Sequence, residues 1–182
     1  MKLIIRGGKF LHRLLKQPPM EITRCTKDVV KCGFFNSLGD ISGSYFLDLF
    51  GGSGAIGIEA FSRGASNVFI NERNLKALNI IKDNLKSLGI NEISVSNLDY
   101  KEAIEKYKKS EIKFDYIFLD PPYNLKIDYE MISFIISSDI VNKNSKIIVE
   151  TDYELDEKLL MNFDIKKLNY GRSKIYILKE KQ

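Results

Sequence analysis

Apolar residues along this chain recur at two periods, and each change of period marks an element. From residue 45 onward, short apolar runs alternate with stretches that are apolar at every third or fourth position. Residues 45–50 form one such run, closing in glycines, and 55–62 read as a helix. Residues 67–70 are a second strand. A long helix follows at 74–88, with Leu75, Leu78, Ile81, Leu85 and Leu88 at helical spacing and Gly89 at its end. The pattern then predicts strands at 93–95, 114–119 and 146–149, with helices at 100–107 and 129–136. Two last strands, 163–168 and 174–178, flank Tyr170-Gly171-Arg172, a hairpin signal. Such alternation predicts an α/β fold: a mostly parallel sheet wrapped by helices, with an antiparallel strand from the closing hairpin at or near one edge.

The chain before residue 45 is different. Leu3-Ile4-Ile5 and Phe10-Leu11 read as two short strands with Gly7-Gly8 reversing between them, and Pro18-Pro19 ends the segment. A helix is predicted over 26–38, with Thr26 as N-cap, Asp28 in the first turn and Val30, Phe34 and Phe35 as its apolar stripe. The expected division is an N-terminal hairpin extension over 1–19 and one main domain over 20–182.

Composition narrows the class. With 182 residues and 44% hydrophobic content, the chain can bury one sizeable core. The formal net charge of +4 suits an anionic partner without requiring one. Cys25 and Cys32 lie seven apart on one predicted helix, with no metal-ligand spacing around them, and read as small packed residues in a reducing compartment. No secretion signal or membrane-length apolar run is evident, so the expected location is the cytoplasm. No metal and no obligate protein partner is expected, and the protein is expected to be a monomer.

The glycines after the first main strand, in Asp48-Leu49-Phe50-Gly51-Gly52-Ser53-Gly54, sit where a helix begins. Glycines there let backbone approach a ligand, at the end of a parallel sheet where ligands bind. The loop lacks the Lys-Ser/Thr ending that grips a nucleoside triphosphate. Asp48 suits a ligand carrying an ammonium and a sulfonium better than one carrying a pyrophosphate. Glu72, after the second strand, can accept from ribose hydroxyls, and Asp99, after the third, from an adenine amino group.

Asp120-Pro121-Pro122-Tyr123 follows the strand at 114–119 and is the most specific signal in the chain. Two prolines stiffen the corner and remove two backbone donors while leaving carbonyl acceptors. The Asp120 carboxylate and the Pro121 carbonyl can both address one NH2 group. The lone pair of a base amino group is delocalised into its ring, so the group is a poor nucleophile. Two acceptors holding both hydrogens turn that lone pair toward an electrophilic methyl, by positioning and electrostatics. Tyr123 can stack on the base, which must be turned out of any helix to reach the corner.

These residues carry a resemblance. The run from Leu47 to Ala65 resembles the cofactor motif of the RsmD-type methyltransferases, which modify the N2 amino group of a guanine in bacterial 16S ribosomal RNA. Ile5-Arg6-Gly7-Gly8-Lys9-Phe10, Arg24-Cys25-Thr26, Phe34-Phe35-Asn36, the strand ending in Glu72, residues 114–123 and Tyr170-Gly171 fit as well, so the likeness spans nearly the whole chain. Cys25 stands where the family usually has proline, Gly51 where it usually has alanine, and Arg172-Ser173 where it has a more acidic pair. The resemblance implies a seven-stranded Rossmann-like sheet with one antiparallel strand inserted by the last hairpin. It implies S-adenosylmethionine as cofactor. Asp48, Gly51, Gly52 and Gly54 would line its methionine part, Glu72 its ribose and Asp99 its adenine, with Phe50 also a cofactor contact. Arg24 and Thr26 would hold its carboxylate end, or simply start a helix. It also implies 16S ribosomal RNA, or the assembling small subunit, as partner.

The basic start is then the expected RNA contact: Arg6, Lys9, Arg13 and Lys16 precede any acid in the chain and can meet phosphates. From charge alone a solvated surface hairpin is the favoured reading of them. His12 and Tyr100 stay open, Tyr100 as an adenine neighbour or a helix start. Two other functions share much of this pattern: amino methylation of adenine N6 or cytosine N4, and a non-catalytic RNA-binding scaffold.

Overall fold

The structure is a computed structural model that describes residues 3–18, 28–122, 125–127 and 129–181. The chain opens with β1 (Leu3–Ile4) and β2 (Leu14–Leu15), paired antiparallel. The turn is not the tight one expected at Gly7-Gly8, and residues 10–11 are not a strand. Gly8–Phe10 form a 3₁₀ turn instead. The Phe61 ring stacks on Phe10 with centroids 6.4 Å apart, and Ser62 Oγ accepts from the Phe10 amide at 2.9 Å, so this residue is held against a helix rather than in a ladder. Gly8 adopts φ of 75° with its α-carbon pressed on the Ser62 carbonyl, where a side chain has no room.

Next come α1 (Asp28–Leu38), β3 (Tyr45–Asp48), α2 (Ala55–Ser62), β4 (Asn67–Asn71), α3 (Leu75–Leu88), β5 (Ser94–Ser96), α4 (Tyr100–Lys109), β6 (Phe114–Leu119), α5 (Tyr129–Ser137) and β7 (Val141–Thr151). A short α6 (Glu157–Leu160), not expected from the pattern, precedes β8 (Phe163–Tyr170) and β9 (Ser173–Glu180). The Thr26 cap, like Arg24, Cys25 and Tyr123, lies outside the described residues.

Seven strands form one sheet in the order β5-β4-β3-β6-β7-β9-β8. All pairs from β5 through β7 are parallel, and β9 runs antiparallel between β7 and β8. The expected fold class is therefore realised: a Rossmann-like sheet with one antiparallel strand and a small N-terminal hairpin.

Period-two alternation places the core on both faces. Phe46, Ile70, Phe118 and Ile148 face α1, α2 and α3, while Leu47, Ile117, Leu119 and Val149 face α4 and α5. The hairpin shares the first of these cores through Leu3, Ile5 and Leu15. α3 shows why a segment becomes a helix here. Asn74 accepts from the Lys76 and Ala77 amides at 2.9 and 3.2 Å, and Gly89 closes the helix in the left-handed region at φ 69°.

A buried ion pair locks the hairpin to two helices. Lys31, on the apolar side of α1, has no exposed surface; its Nζ meets Glu59 Oε2 at 2.7 Å and donates to the Ile4 carbonyl at 2.6 Å. Arg63 covers the other Glu59 oxygen at 2.9 Å. Desolvating both charges is costly, and the pair persists because every oxygen of Glu59 is answered.

Candidate active site

The carboxyl ends of the parallel strands converge on one cleft of about 770 Å³, a size that holds a nucleoside-like ligand. After β3 the chain moves to β4 and β5 on one side, then crosses to β6 and β7 on the other. The cleft opens at this change of direction, the place where open α/β sheets bind ligands.

Asp48 is the last residue of β3 and is 1% exposed. The Gly57 amide donates to its Oδ2 at 3.1 Å, and its Oδ1 has no hydrogen-bond partner. Burial pushes its carboxyl up to about 7; the Gly57 and Phe50 amides work against this, and the nearby Glu72 carboxylate works with it. A buried, unanswered carboxylate oxygen on the wall of a cleft calls for a cationic donor.

Gly51 to Gly54 carry the backbone past that oxygen. The Gly51 amide donates to the Asn71 carbonyl at 2.8 Å, and a Cβ on Gly51 would lie 2.4 Å from the buried Ile70 methyl. A methyl at Gly51 would force Ile70 to shift, which fits glycine standing here where the resembled family usually has alanine. Gly54, at φ 78°, turns the chain into α2. Glu72 accepts the Gly52 amide at 2.7 Å and the Asn74 amide at 2.6 Å, one on each oxygen. Burial raises its pKa, opposed by those two amides. Asp99 lines the same cleft, caps α4 in a capping box with Glu102 and pairs with Arg73, the residue after Glu72, at 3.2 Å. The rings of Phe50 and Tyr100 stand 5.9 Å apart on the same wall, so Tyr100 both starts α4 and lines the cleft.

Asp120, Pro121 and Pro122, after β6, also line the cleft. The corner and the glycine loop, at the ends of the paired strands β6 and β3, line the same cleft. The Pro122 carbonyl accepts the Leu125 amide at 2.8 Å, and the Tyr153 hydroxyl accepts the Ile127 amide at 2.8 Å, tying Ile127 to the segment just after β7. Glu150, the register neighbour of Asp120 one strand over, also lines the cleft.

Six carboxylates line the cleft (Asp48, Glu72, Asp99, Asp120, Glu150 and Asp152) against two cations, Arg73 and Lys126. This excess repels phosphate and favours a cationic ligand. Among the described residues no cluster of His, Cys, Asp and Glu could hold a metal ion, and no helix is long and apolar enough to cross a membrane.

The expected RNA contacts are more occupied than their charges suggested. Arg6 grips Asp28 at 2.5 and 2.9 Å, and Lys16 meets Asp83 at 2.8 Å. Lys9 lies 3.8 Å from the centre of the Phe61 ring, and Arg13 donates to the Ser87 carbonyl at 3.3 Å. Two cleft-end residues escaped the pattern altogether. Buried Asn71 donates to the Leu49 and Leu98 carbonyls and accepts from Ser96 and the Leu98 amide, joining the ends of β3, β4 and β5. Asn97 donates to the Glu72 and Arg73 carbonyls at 2.6 and 2.8 Å. An Asn at a strand end reads as a turn residue, so only the fold shows what it joins.

Strand order, inserted antiparallel strand and cleft together define a class I methyltransferase fold. The Escherichia coli structure titled "Putative methyltransferase yhhF" superposes with a TM-score of 0.81 over 100% of this chain and 99% of its own, at 22% identity. The family model described as "Conserved hypothetical protein 95" matches residues 3–179, and the chain belongs to that family, the RsmD type. Among its relatives, the Bacillus subtilis protein named "Putative rRNA methyltransferase YlbH" is 35% identical over 98% of both chains. The Haemophilus influenzae "Ribosomal RNA small subunit methyltransferase D" is 36% identical over 81% of this chain and 78% of its own.

Proposed function

We propose that this chain transfers a methyl group from S-adenosylmethionine to the exocyclic N2 amino group of a guanine in small-subunit (16S) ribosomal RNA. One observation carries the reading: a two-proline acceptor corner and a glycine loop, which follow the neighbouring strands β6 and β3, line one acidic cleft. The relatives' names support ribosomal RNA as the substrate class, and the family resemblance supports guanine N2.

The cofactor, when bound, supplies a methyl made electrophilic by a sulfonium. Its residues fit. The unanswered Asp48 oxygen suits the ammonium of the methionine part, beside Gly51 and Gly52 in the cleft wall and Gly54 at the start of α2. Glu72 keeps lone pairs for ribose hydroxyls, and Asp99 faces the adenine side, with Phe50 and Tyr100 bounding that slot. Arg24 and Thr26 are proposed to hold the carboxylate end.

At the proline corner the Asp120 carboxylate and the Pro121 carbonyl accept the two amino hydrogens, and Tyr123 stacks on the turned-out base. The chain thereby orients the nitrogen lone pair toward the cofactor side without needing a strong base. Because the cleft is acidic, the RNA phosphates stay outside it. Lys9 and Arg13 on the hairpin are the proposed contacts, with Arg6 and Lys16 joining only by leaving Asp28 and Asp83. We place the protein in the cytoplasm, acting as a monomer, with the extension over 1–19 serving the RNA and residues 20–182 the chemistry.

The test is incubation with labelled S-adenosylmethionine and unmodified 16S RNA or small subunits, followed by mapping of the label. Label on one guanine N2 supports the reading; label on adenine N6 or cytosine N4, or none, refutes it.

A further inference from the structure

The hairpin expected to meet RNA and the loop expected to hold cofactor are joined through one buried side chain. Asn84, in the middle of α3, is 1% exposed. Its Oδ1 accepts the Lys16 amide at 2.7 Å, and its Nδ2 donates to the Lys16 carbonyl at 3.1 Å. The same Nδ2 donates to the Ser53 carbonyl, inside the glycine loop, at 3.0 Å. A carboxamide has two donors and an acceptor with two lone pairs, and this one uses both donors and its acceptor on two otherwise separate segments.

The surroundings strengthen the link. One turn below, Ile81 packs under the glycine loop, within 3.2 Å of a Cβ built on Gly54. On either side of Asn84, Asp83 holds the Lys16 ammonium and the Ser87 carbonyl holds Arg13. At its N-terminus the same helix begins beside Glu72, through the Asn74 amide. One helix therefore touches the ribose acid, the floor of the glycine loop and the end of the hairpin. Since Ser53 is itself buried and lines the cleft, a ligand that orders the loop fixes the Ser53 carbonyl, and with it the amide that also fixes Lys16.

We propose that Asn84 is a positioning residue that couples cofactor binding in the glycine loop to the set of the N-terminal hairpin, so that cofactor and RNA bind with positive cooperativity. The proposal rests on the methyltransferase reading for the identity of the two ligands. Two sites tied through a shared, fully satisfied buried amide are coupled through a contiguous network, for which a factor of about ten is ordinary. The alternative role, simple anchoring of the hairpin, would lower stability without making one ligand sense the other. Ser62 supplies the control: it anchors the same hairpin through the Gly7 carbonyl and the Phe10 amide, and its hydroxyl makes no hydrogen bond to the glycine loop among the described residues.

The test is amide hydrogen exchange with and without S-adenosylhomocysteine, read at Ile5 and His12, whose hairpin bonds do not involve Asn84. In the unmodified protein saturating S-adenosylhomocysteine is expected to slow these amides about tenfold and to tighten RNA binding by a similar factor. In Asn84→Leu, and in Asn84→Asp, which keeps the acceptor but loses both donated bonds, the increment vanishes while S-adenosylhomocysteine still binds. In Ser62→Ala the hairpin exchanges faster throughout, but the increment remains. Hairpin amides indifferent to S-adenosylhomocysteine in the unmodified protein, or an increment retained in either Asn84 variant, overturn the proposal. Failure of S-adenosylhomocysteine to bind overturns the functional reading as well. Binding with hairpin protection but no methylated guanine overturns that reading alone.

Discussion

Replacing Asp48 by Asn should stabilise the ligand-free protein, and increasingly so as pH rises toward neutrality. The Asp48 carboxyl is lifted from 3.8 to about 7, chiefly by burial. A raised folded-state pKa means that the folded protein binds this proton more tightly than the unfolded chain does. The stabilisation from that proton is complete below 3.8 and is lost as pH climbs through about 7. At about 1.4 kcal/mol per pH unit, the whole span is worth about 4 kcal/mol, of which about 2 fall between pH 5 and 7. Asn keeps the shape and an acceptor for the Gly57 amide but cannot ionise, so it escapes the loss. The assay is urea denaturation of both proteins at several pH values from 4.5 to 8. The stability difference, variant minus native, should grow with that slope and flatten above pH 7. A cationic ligand against Oδ1 reverses the preference, so cofactor binding near pH 6 should release a proton in the native protein and none in Asp48→Asn. Parallel stability profiles for the two proteins would refute the reasoning.

Three further changes test other joints. Gly51→Ala forces a methyl onto the Ile70 Cγ2 and should cost about 1–3 kcal/mol by thermal or urea denaturation, with part of the loss recovered in the double variant with Ile70→Leu, which lacks that branching methyl; an unaltered midpoint would contradict the packing argument. Glu59→Ala strands the buried Lys31 ammonium and should cost about 3–5 kcal/mol, whereas Asp83→Ala, across an exposed pair, should cost under about 1 kcal/mol. Neutralising Lys9 and Arg13 together should weaken RNA binding and flatten its salt dependence by about two phosphate contacts, read as the slope of log affinity against log salt.

Much of this was legible from residue order. The strand-helix alternation, the glycine loop after Asp48, the acid after each following strand and the two-proline corner all lie at positions fixed by local pattern, and parallel connections bring their ends together. Boundaries shifted where tertiary contacts outweigh local preference. The strand expected at 146–149 extends back to Val141 through polar residues, because β6 pairs with it from Phe114 onward. Phe10 leaves the predicted strand for the Phe61 ring. What stayed hidden were partners distant in sequence. Nothing in the local pattern joins Lys31 to Glu59, or lets Asn71 and Asn84 be told from ordinary polar positions on a strand end and a helix. Their meaning depends on which carbonyls the fold brings to them. Arg6 and Lys16 read as free cations for the same reason: Asp28 and Asp83 stand 22 and 67 residues away.

The claim everything else serves is that Asp120 and Pro121 hold an amino group for attack on a methyl across the cleft. Asp120→Ala removes one acceptor and leaves the glycine-loop wall intact. Single-turnover transfer of labelled methyl to unmodified 16S RNA should fall by about 10²–10³, while S-adenosylhomocysteine binds as before. Transfer at the native rate in that variant would contradict the account.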